Sequence, residues 1–229
     1  STPLLVTPDL TPDLPWKGGM AYVNDLEGKI TKINLTNMTD ESGGKYASAD
    51  PIELFDSTTL FTSNQSVPEI KGRYMYHMMD ATIGYKSKNL WLYAGTGDFE
   101  NLSDISSNDF LIGIQDKDFP LYKKIKTISI KDLDDCEDTS NYHNEGKTVK
   151  NCPELADSKI GWKIPLTDGK KVTAEPTVSL NNIYFPIYKP KTGVDACKLG
   201  DALVGIVESE CGLNRSSTTG KTLLDDFVY

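Results

Sequence analysis

The apolar residues of this chain come in short runs of β-branched and aromatic side chains, each closed within a few positions by glycine, asparagine, aspartate or proline. This pattern limits the fold more than any single motif does. An amphipathic helix needs apolar positions at i, i+3, i+4 and i+7, and few stretches sustain that period. "GMAYVND" and "GKITKINL" read as two strands joined by a tight turn over Asp25-Leu26-Glu27-Gly28, with Gly28 supplying a backbone angle that other residues resist. "NLWLYAG" is nearly continuously apolar, and "DFLIGIQD" follows after a polar loop. "KKIKTISI", "VTAEPTVS", "NNIYFPIY" and "ALVGIVES" complete a set of at least eight short strands. The expectation is an all-β chain of small antiparallel sheets. The best helical segment by propensity is "RYMYHMMDAT", from Arg73 to Thr82.

The stretch "LWLYAGTGDF" runs from an apolar strand into Gly95-Thr96-Gly97 and an acid. A phosphate-binding loop would need further glycines or a lysine and would open a helix. Here Asp98 and Glu100 follow, whose charges would repel phosphate. Gly95 and Gly97 therefore read as structural, letting the chain turn at a strand end where a side chain would clash.

Length and charge narrow the function classes. The 229 residues suffice for one large all-β domain or two small ones. The formal net charge is -9, and no Lys/Arg cluster offsets it locally, which argues against nucleic acid as a partner. No apolar run approaches the roughly 18 to 20 residues that a membrane helix needs, so no transmembrane segment is expected. "STPLLVTPDL" lacks the basic region and long apolar stretch of a signal peptide; the expectation is that one was removed or that the chain is an excerpt. Three long polar loops are expected at 36–52, 62–72 and 131–158.

Four cysteines fall into two local pairs, Cys136 with Cys152 and Cys197 with Cys211, neither at the close spacing of a zinc site. Two disulfides, each closing a loop of roughly 15 residues and worth about 3 kcal/mol in the chain-entropy account, are the plain reading, which implies an oxidising compartment. Four thiols in a reducing compartment are the alternative.

Chemistry is sparse. There is no G-x-S-x-G, and the histidines are His77, among Tyr74, Met75, Tyr76 and Met78, and His143, in a long polar loop. Packing or a surface role suits His77 better than catalysis. One acidic constellation stands out: Asp132, Asp134, Asp135, Glu137 and Asp138 in "KDLDDCEDTSN". Hard oxygen ligands at near-alternate positions suit calcium, yet Cys136 and Glu137 break the EF-hand pattern, and a solvated acidic loop is the plainer reading. Asp25 reads as a turn acid bonded to nearby amides.

A weak repeat of apolar strand, turn and apolar strand recurs at 21–35, 92–116 and 182–209, spaced on the order of 70 residues or more, longer than simple propeller blades. Pattern alone allows a propeller with insertions or a sandwich. "AYVNDLEGKITKINL" (21–35) resembles the A-Y-x-G-D-L-x-G-x-L-W-x-F-D-L signature of the PilC/PilY family of type IV pilus tip-associated adhesins. "LYAGTGDF" (92–99) resembles the family's F-x-G-T-G-x-Y strand end, and "DFLIGIQD" (109–116) its F-Y-G-I-x-D strand. The stretch 161–209, from "GWKIPL" through "AEPTVS" and "VDACKLGD" to "ALVGIVES", resembles a later block, with Cys197 at that block's cysteine. Asn24 stands where the family has Gly, Lys32 where Trp is common, and Pro186 where Thr is expected.

The resemblance implies a partial, quinoprotein-like β-propeller built of short antiparallel sheets with long loop insertions. In that reading residues 1–19 are a lead-in strand or linker, 20–214 carry propeller blades, and 215–229 form a tail or the start of a further strand. It also implies a non-enzymatic binding and assembly module at the cell surface, exported through the periplasm. Its partners would be minor pilins of the pilus tip complex, a host or surface ligand, and the remaining blades of the parent propeller, and calcium would be a possible cofactor. The alternative it leaves open is a fragment of a propeller-type quinoprotein dehydrogenase, which would need an acid and a tryptophan stack drawn from Trp16, Trp91 and Trp162.

Overall fold

The computed structural model describes residues 3–6, 19–35, 55–63, 73–120, 122–123, 126–136, 160–191 and 200–212. They form three sheets. The first is antiparallel through β1 (Leu4–Val6), β2 (Met20–Asn24), β3 (Lys29–Asn34) and β4 (Ser57–Thr62). The turn between β2 and β3 is the expected one. Asp25 Oδ1 accepts the amides of Glu27 and Lys29 at 2.9 and 3.0 Å, and Gly28 sits at φ 71°. Along β3 the side chains alternate, with Ile30, Lys32 and Asn34 inward.

The second sheet orders β5 (Asp80–Ile83), β6 (Leu90–Gly95), β7 (Asp109–Asp116) and β10 (Gly161–Leu166), again antiparallel. It is the middle layer, which explains the unbroken apolar run of β6. Leu90, Leu92, Ala94, Ile112 and Ile114 pack on Met20, Tyr22, Ile30, Leu60 and Phe61 of the first sheet. Trp91, Tyr93, Leu111 and Trp162 face the other way, onto Ile183, Phe185, Ile187 and Val207 of the third. A strand covered on both faces has no polar alternate positions to show.

In the third sheet, β11 (Lys171–Val172) and β12 (Thr177–Ser179) lie along one side of β13 (Asn182–Lys189), and β14 (Asp201–Glu208) lies along the other. "VTAEPTVS" is thus two short strands rather than one. The break falls at 173–176, opposite Pro186. Thr173 donates its amide to Pro186 O at 3.1 Å, so the missing N–H of Pro186, which points the same way as its carbonyl, faces the gap and costs the ladder to β14 nothing.

Two other expectations need correction. The Arg73–Thr82 segment holds no helix: 73–79 are irregular and Asp80–Ile83 pair antiparallel with β6. The Asn24 side-chain amide donates to the carbonyls of Met75 and His77 at 3.0 and 2.8 Å, which a helix would need for its own amides, while Met75 and Met79 are buried in the first core. Among the described residues of "KKIKTISI" only β8 (Ile128–Ser129) pairs; it runs parallel to β4 and leads into a 3-10 turn over Ile130–Asp132. The next residues are not plain loop either, because β9 (Asp134–Asp135) pairs in parallel with β10. The insertion between β7 and β10 therefore returns one short strand to the edge of each of the first two sheets.

Candidate interaction face

Strand directions bring the turn 25–28, the end of β4, the segment 73–79 and the loops 97–108 and 167–176 to one end of the three sheets. Backbone hydrogen bonds tie that end together: Ser63 N to Gly28 O at 2.8 Å, Gly97 N to Tyr74 O at 3.0 Å, and Val172 N to Thr96 O at 3.1 Å.

Gly95 and Gly97 explain the close fit. Neither has a positive φ. A Cβ on Gly95 would lie 2.3 Å from Val172 Cγ2, and one on Gly97 would lie 2.8 Å from Lys171 Cβ. What a side chain at either position would meet is the next sheet, and turn geometry is not what calls for glycine there. Thr96 between them is buried: its hydroxyl donates to Asp109 Oδ1 at 2.8 Å and accepts the Phe110 amide at 2.9 Å.

The loop 97–108 is anchored from below. Ser107 Oγ donates to Asp109 Oδ2 at 2.7 Å, and burial pushes the Asp109 carboxyl above its usual range against the pull of Ser107, Thr96, Lys171 and Arg73. The buried Lys171 ammonium donates to Gly169 O at 3.1 Å, to Ser107 Oγ at 3.2 Å and to Asp104 O. Above these anchors, Asp98 Oδ1 accepts the amides of Glu100 and Asn101, and Asp104 Oδ1 accepts that of Ser106.

The loop so held presents Phe99 and Ile105 to solvent, 47% and 55% exposed. Half-buried rings of 73–79 gather round Phe99: Tyr76 at 6.4 Å and His77 at 5.4 Å between centroids, with Tyr74 at 5.9 Å from Tyr76. Glu100 and Asp98 add to the partial burial that raises the Tyr76 hydroxyl pKa. Burial pushes His77 below its usual value, while Glu175 opposes that shift. Arg73 is drawn inward, donating to Ser63 O at 2.7 Å and Asn108 O at 3.0 Å, with its guanidinium 4.6 Å from the Phe110 ring.

Among solved structures, the crystal structure of the Pseudomonas aeruginosa PilY1 C-terminal domain is similar to this chain, with a TM-score of 0.61 at 12% identity, covering 90% of this chain and 47% of that one. The fold is a segment of a β-propeller. Its three sheets are blades, and the insertion carrying β8 and β9 is one of the expected loop additions. No protein-family profile matches the sequence, and no curated protein matches it.

The other residues singled out in the sequence are scattered over the propeller segment. In the acidic constellation, Asp132 Oδ2 accepts the Ser129 amide at 2.8 Å. Asp134 and Asp135, as neighbours in β9, point to opposite faces. Lys163 Nζ lies 3.8 Å from Asp135 and donates to Ile130 O and Leu133 O at 3.2 and 3.3 Å, so a side-chain ammonium already supplies a cation there. Among the described residues no three acidic, histidine or cysteine side chains converge as a metal site, and Glu137 and Asp138 lie outside those residues. Cys136 is a thiol in the structure, its Sγ donating to Cys211 O at 3.2 Å, so the expected Cys136–Cys152 disulfide is not formed; Cys211 is disulfide-bonded, and Cys152 and Cys197 lie outside the described residues.

Trp91 and Trp162 are core residues of the second blade interface, in a run of rings with Tyr93 and Phe185 spaced 6.2 to 6.4 Å apart. Trp16 and His143 lie outside the described residues.

Sequence reading missed two polar links between blades. One joins Lys32, Asp116 and Tyr22. The other is Glu210, whose carboxylate accepts the amides of Lys86 and Ser87 at 2.9 and 2.8 Å. Lys32 at an inward position of an alternating strand was the available signal; for Glu210 there was none.

Proposed function

We propose that this chain is a non-enzymatic binding and assembly module of a pilus-tip adhesin, working at the cell surface through contacts with minor pilins and with a surface or host ligand. The observation that carries the proposal is the likeness of its blades to the PilY1 C-terminal domain over 90% of the chain. Support comes from the loop end, where buried Asp109 and Lys171 hold an exposed aromatic and acidic surface in place, as contact surfaces on rigid scaffolds require. No helix among the described residues is long and apolar enough to cross a membrane. The other blades of the parent propeller complete the set of proposed partners, because the chain spans 47% of the similar structure.

The dehydrogenase alternative finds no supporting tryptophan among the described residues, since Trp91 and Trp162 are both packed in the core. Calcium stays within the proposal as a ligand of the acidic stretch from Asp132 to Asp138. Calorimetric titration of Asp134→Ala with Asp135→Ala tests it, and an unchanged calcium isotherm would remove that stretch from consideration.

The deciding experiment is biolayer interferometry of the folded chain against a reconstituted minor-pilin tip complex. Saturable binding is expected. No binding by a chain that melts cooperatively would overturn the reading, as would dye-linked alcohol oxidation restored by added quinone.

A further inference from the structure

We infer that the ring cluster of Tyr74, Tyr76 and Phe99 is a docking point for a lysine or arginine side chain of a protein partner. The inference rests on the proposed reading of the loop end as a contact surface and names the chemistry of that contact.

Three observations converge. The rings meet at tilted and edge-on angles, 65° between Tyr74 and Tyr76 and 51° between Tyr76 and Phe99, and Phe99 stands nearly half in solvent. Rings set at such angles cannot all cover one another's faces, and an uncovered face carries the negative end of the ring quadrupole. The surroundings are acidic as well. Asp98 and Glu100 belong to the Phe99 loop, and Glu175 acts on His77 at the rim of the same cluster. Lastly, the cation nearest in sequence is turned away, with Arg73 held by two carbonyls and the Phe110 ring. That Arg73–Phe110 contact at 4.6 Å is the same chemistry satisfied within the chain.

Charge complementarity selects the occupant. A sugar would also stack on these rings and could donate hydrogen bonds to the carboxylates, but it carries no net charge for the acidic surface to draw in. An anionic or purely apolar segment would be repelled or left with desolvated acids. A cationic side chain gains from both rings and acids, and its contact with an exposed ring contributes roughly two- to fivefold in affinity per ring. The net charge of -9 favours the approach of such a partner over the whole surface.

The test uses the intact chain with aromatic side chains labelled for NMR, titrated with the peptide acetyl-Gly-Lys-Gly-amide and with its Nε-acetyllysine counterpart. The lysine peptide is expected to shift the Tyr74, Tyr76 and Phe99 resonances in a saturable way and the acetylated peptide to leave them unmoved. Tyr76→Ala with Phe99→Ala should weaken binding at least fourfold without changing the melting curve, since both side chains are partly exposed. Glu100→Gln should weaken it at low salt and matter less at high salt. Equal shifts from both peptides, shifts elsewhere only, or binding indifferent to the double substitution would each overturn the inference. Binding of the peptide without binding of the pilin complex would count against the proposed partner and leave this site standing. Pilin binding that survives the double substitution, with no response to the lysine peptide, would do the reverse.

Discussion

Lys32 Nζ lies 2.6 Å from Asp116 Oδ2 with both side chains withdrawn from water, so one ion pair joins the second strand of the first blade hairpin to the long strand of the next blade. Tyr22 donates its hydroxyl to the same carboxylate oxygen at 2.6 Å, and burial followed by the Asp116 charge drives the Tyr22 pKa far upward. The Tyr122 ring lies 5.8 Å from the ammonium.

Removing one partner leaves the other charged in the core. Asp116→Asn or Lys32→Met is expected to cost about 3–5 kcal/mol in chemical denaturation. Replacing the whole set with Lys32→Met, Asp116→Leu and Tyr22→Phe should recover most of that loss, because an apolar trio avoids the desolvation that the ion pair must offset. A triple variant no more stable than Asp116→Asn would show that the pair is not the unit of stability at this interface.

Gly95 sets the spacing between the second and third blades. With Val172 Cγ2, Cβ and Cγ1 at 2.3, 2.6 and 2.7 Å from where a Cβ would stand, Gly95→Ala should destabilise the chain by about 1–3 kcal/mol. Adding Val172→Ala removes the Cγ1 and Cγ2 contacts and leaves the one with Cβ at 2.6 Å, so it relieves part of the clash. The pair is expected to be less destabilised than the sum of the two single substitutions, as a double-mutant cycle would measure. Additive losses would sever the link between these two residues.

These two sites mark where sequence reading succeeds and where it stops. The strands of 20–34, 90–116 and 182–208 are legible because each has a face covered by a neighbouring blade, and burial writes itself as alternation or as a continuous apolar run. Asp25 and Gly28 are legible because a tight turn is decided within a few residues. Gly95 and Gly97 read as structural, yet the reason lies with Val172 and Lys171, some 75 residues along the chain and invisible to local pattern. Asn24 overrode the helical propensity of 73–79 by taking its carbonyls. Lys163 entering the acidic stretch, and Phe99 meeting Tyr76, are likewise products of topology. What decides the candidate face is therefore which loops share an end, and only the order of strands in the sheets sets that.

His77 supplies a pH dependence with a definite sign. Its folded-state pKa lies below the ordinary value of 6.5, chiefly through burial, so between the two values the unfolded chain binds more protons than the folded one. Stability from this residue is present above pH 6.5 and is lost as pH falls through the ordinary value toward the folded one. Asp109 and Glu208, raised by burial, act in the opposite direction nearer the carboxylate range, so the comparison must isolate His77. Between about pH 7 and 5 the parent chain is expected to lose more melting temperature than His77→Phe, which keeps the ring against Phe99. Parallel slopes for the two proteins would mean that His77 titrates alike in both states.

The bonding of Cys211 bears on compartment as well as stability. Glu208 Oε2 accepts the amides of Glu210 and Cys211, each at 2.9 Å, and Gly212 packs 2.8 Å from the Trp162 ring when measured from a Cβ position. The C-terminal end of β14 is thus held in place before any covalent link is considered. A disulfide from a residue held in this way restrains chiefly the loop leading to it. The proposed partner is Cys197, closing a loop of roughly 15 residues and worth about 3 kcal/mol. Peptide mapping without reduction should recover Cys211 linked to Cys197, and the same digest reads Cys136 and Cys152. Reduction should lower the melting temperature while leaving cooperative unfolding, because the two cores do not depend on the link. A Cys211 peptide joined to Cys136 or Cys152 instead would reject the proposed pairing, and unlinked Cys211 in protein prepared under oxidising conditions would reject the oxidising compartment with it.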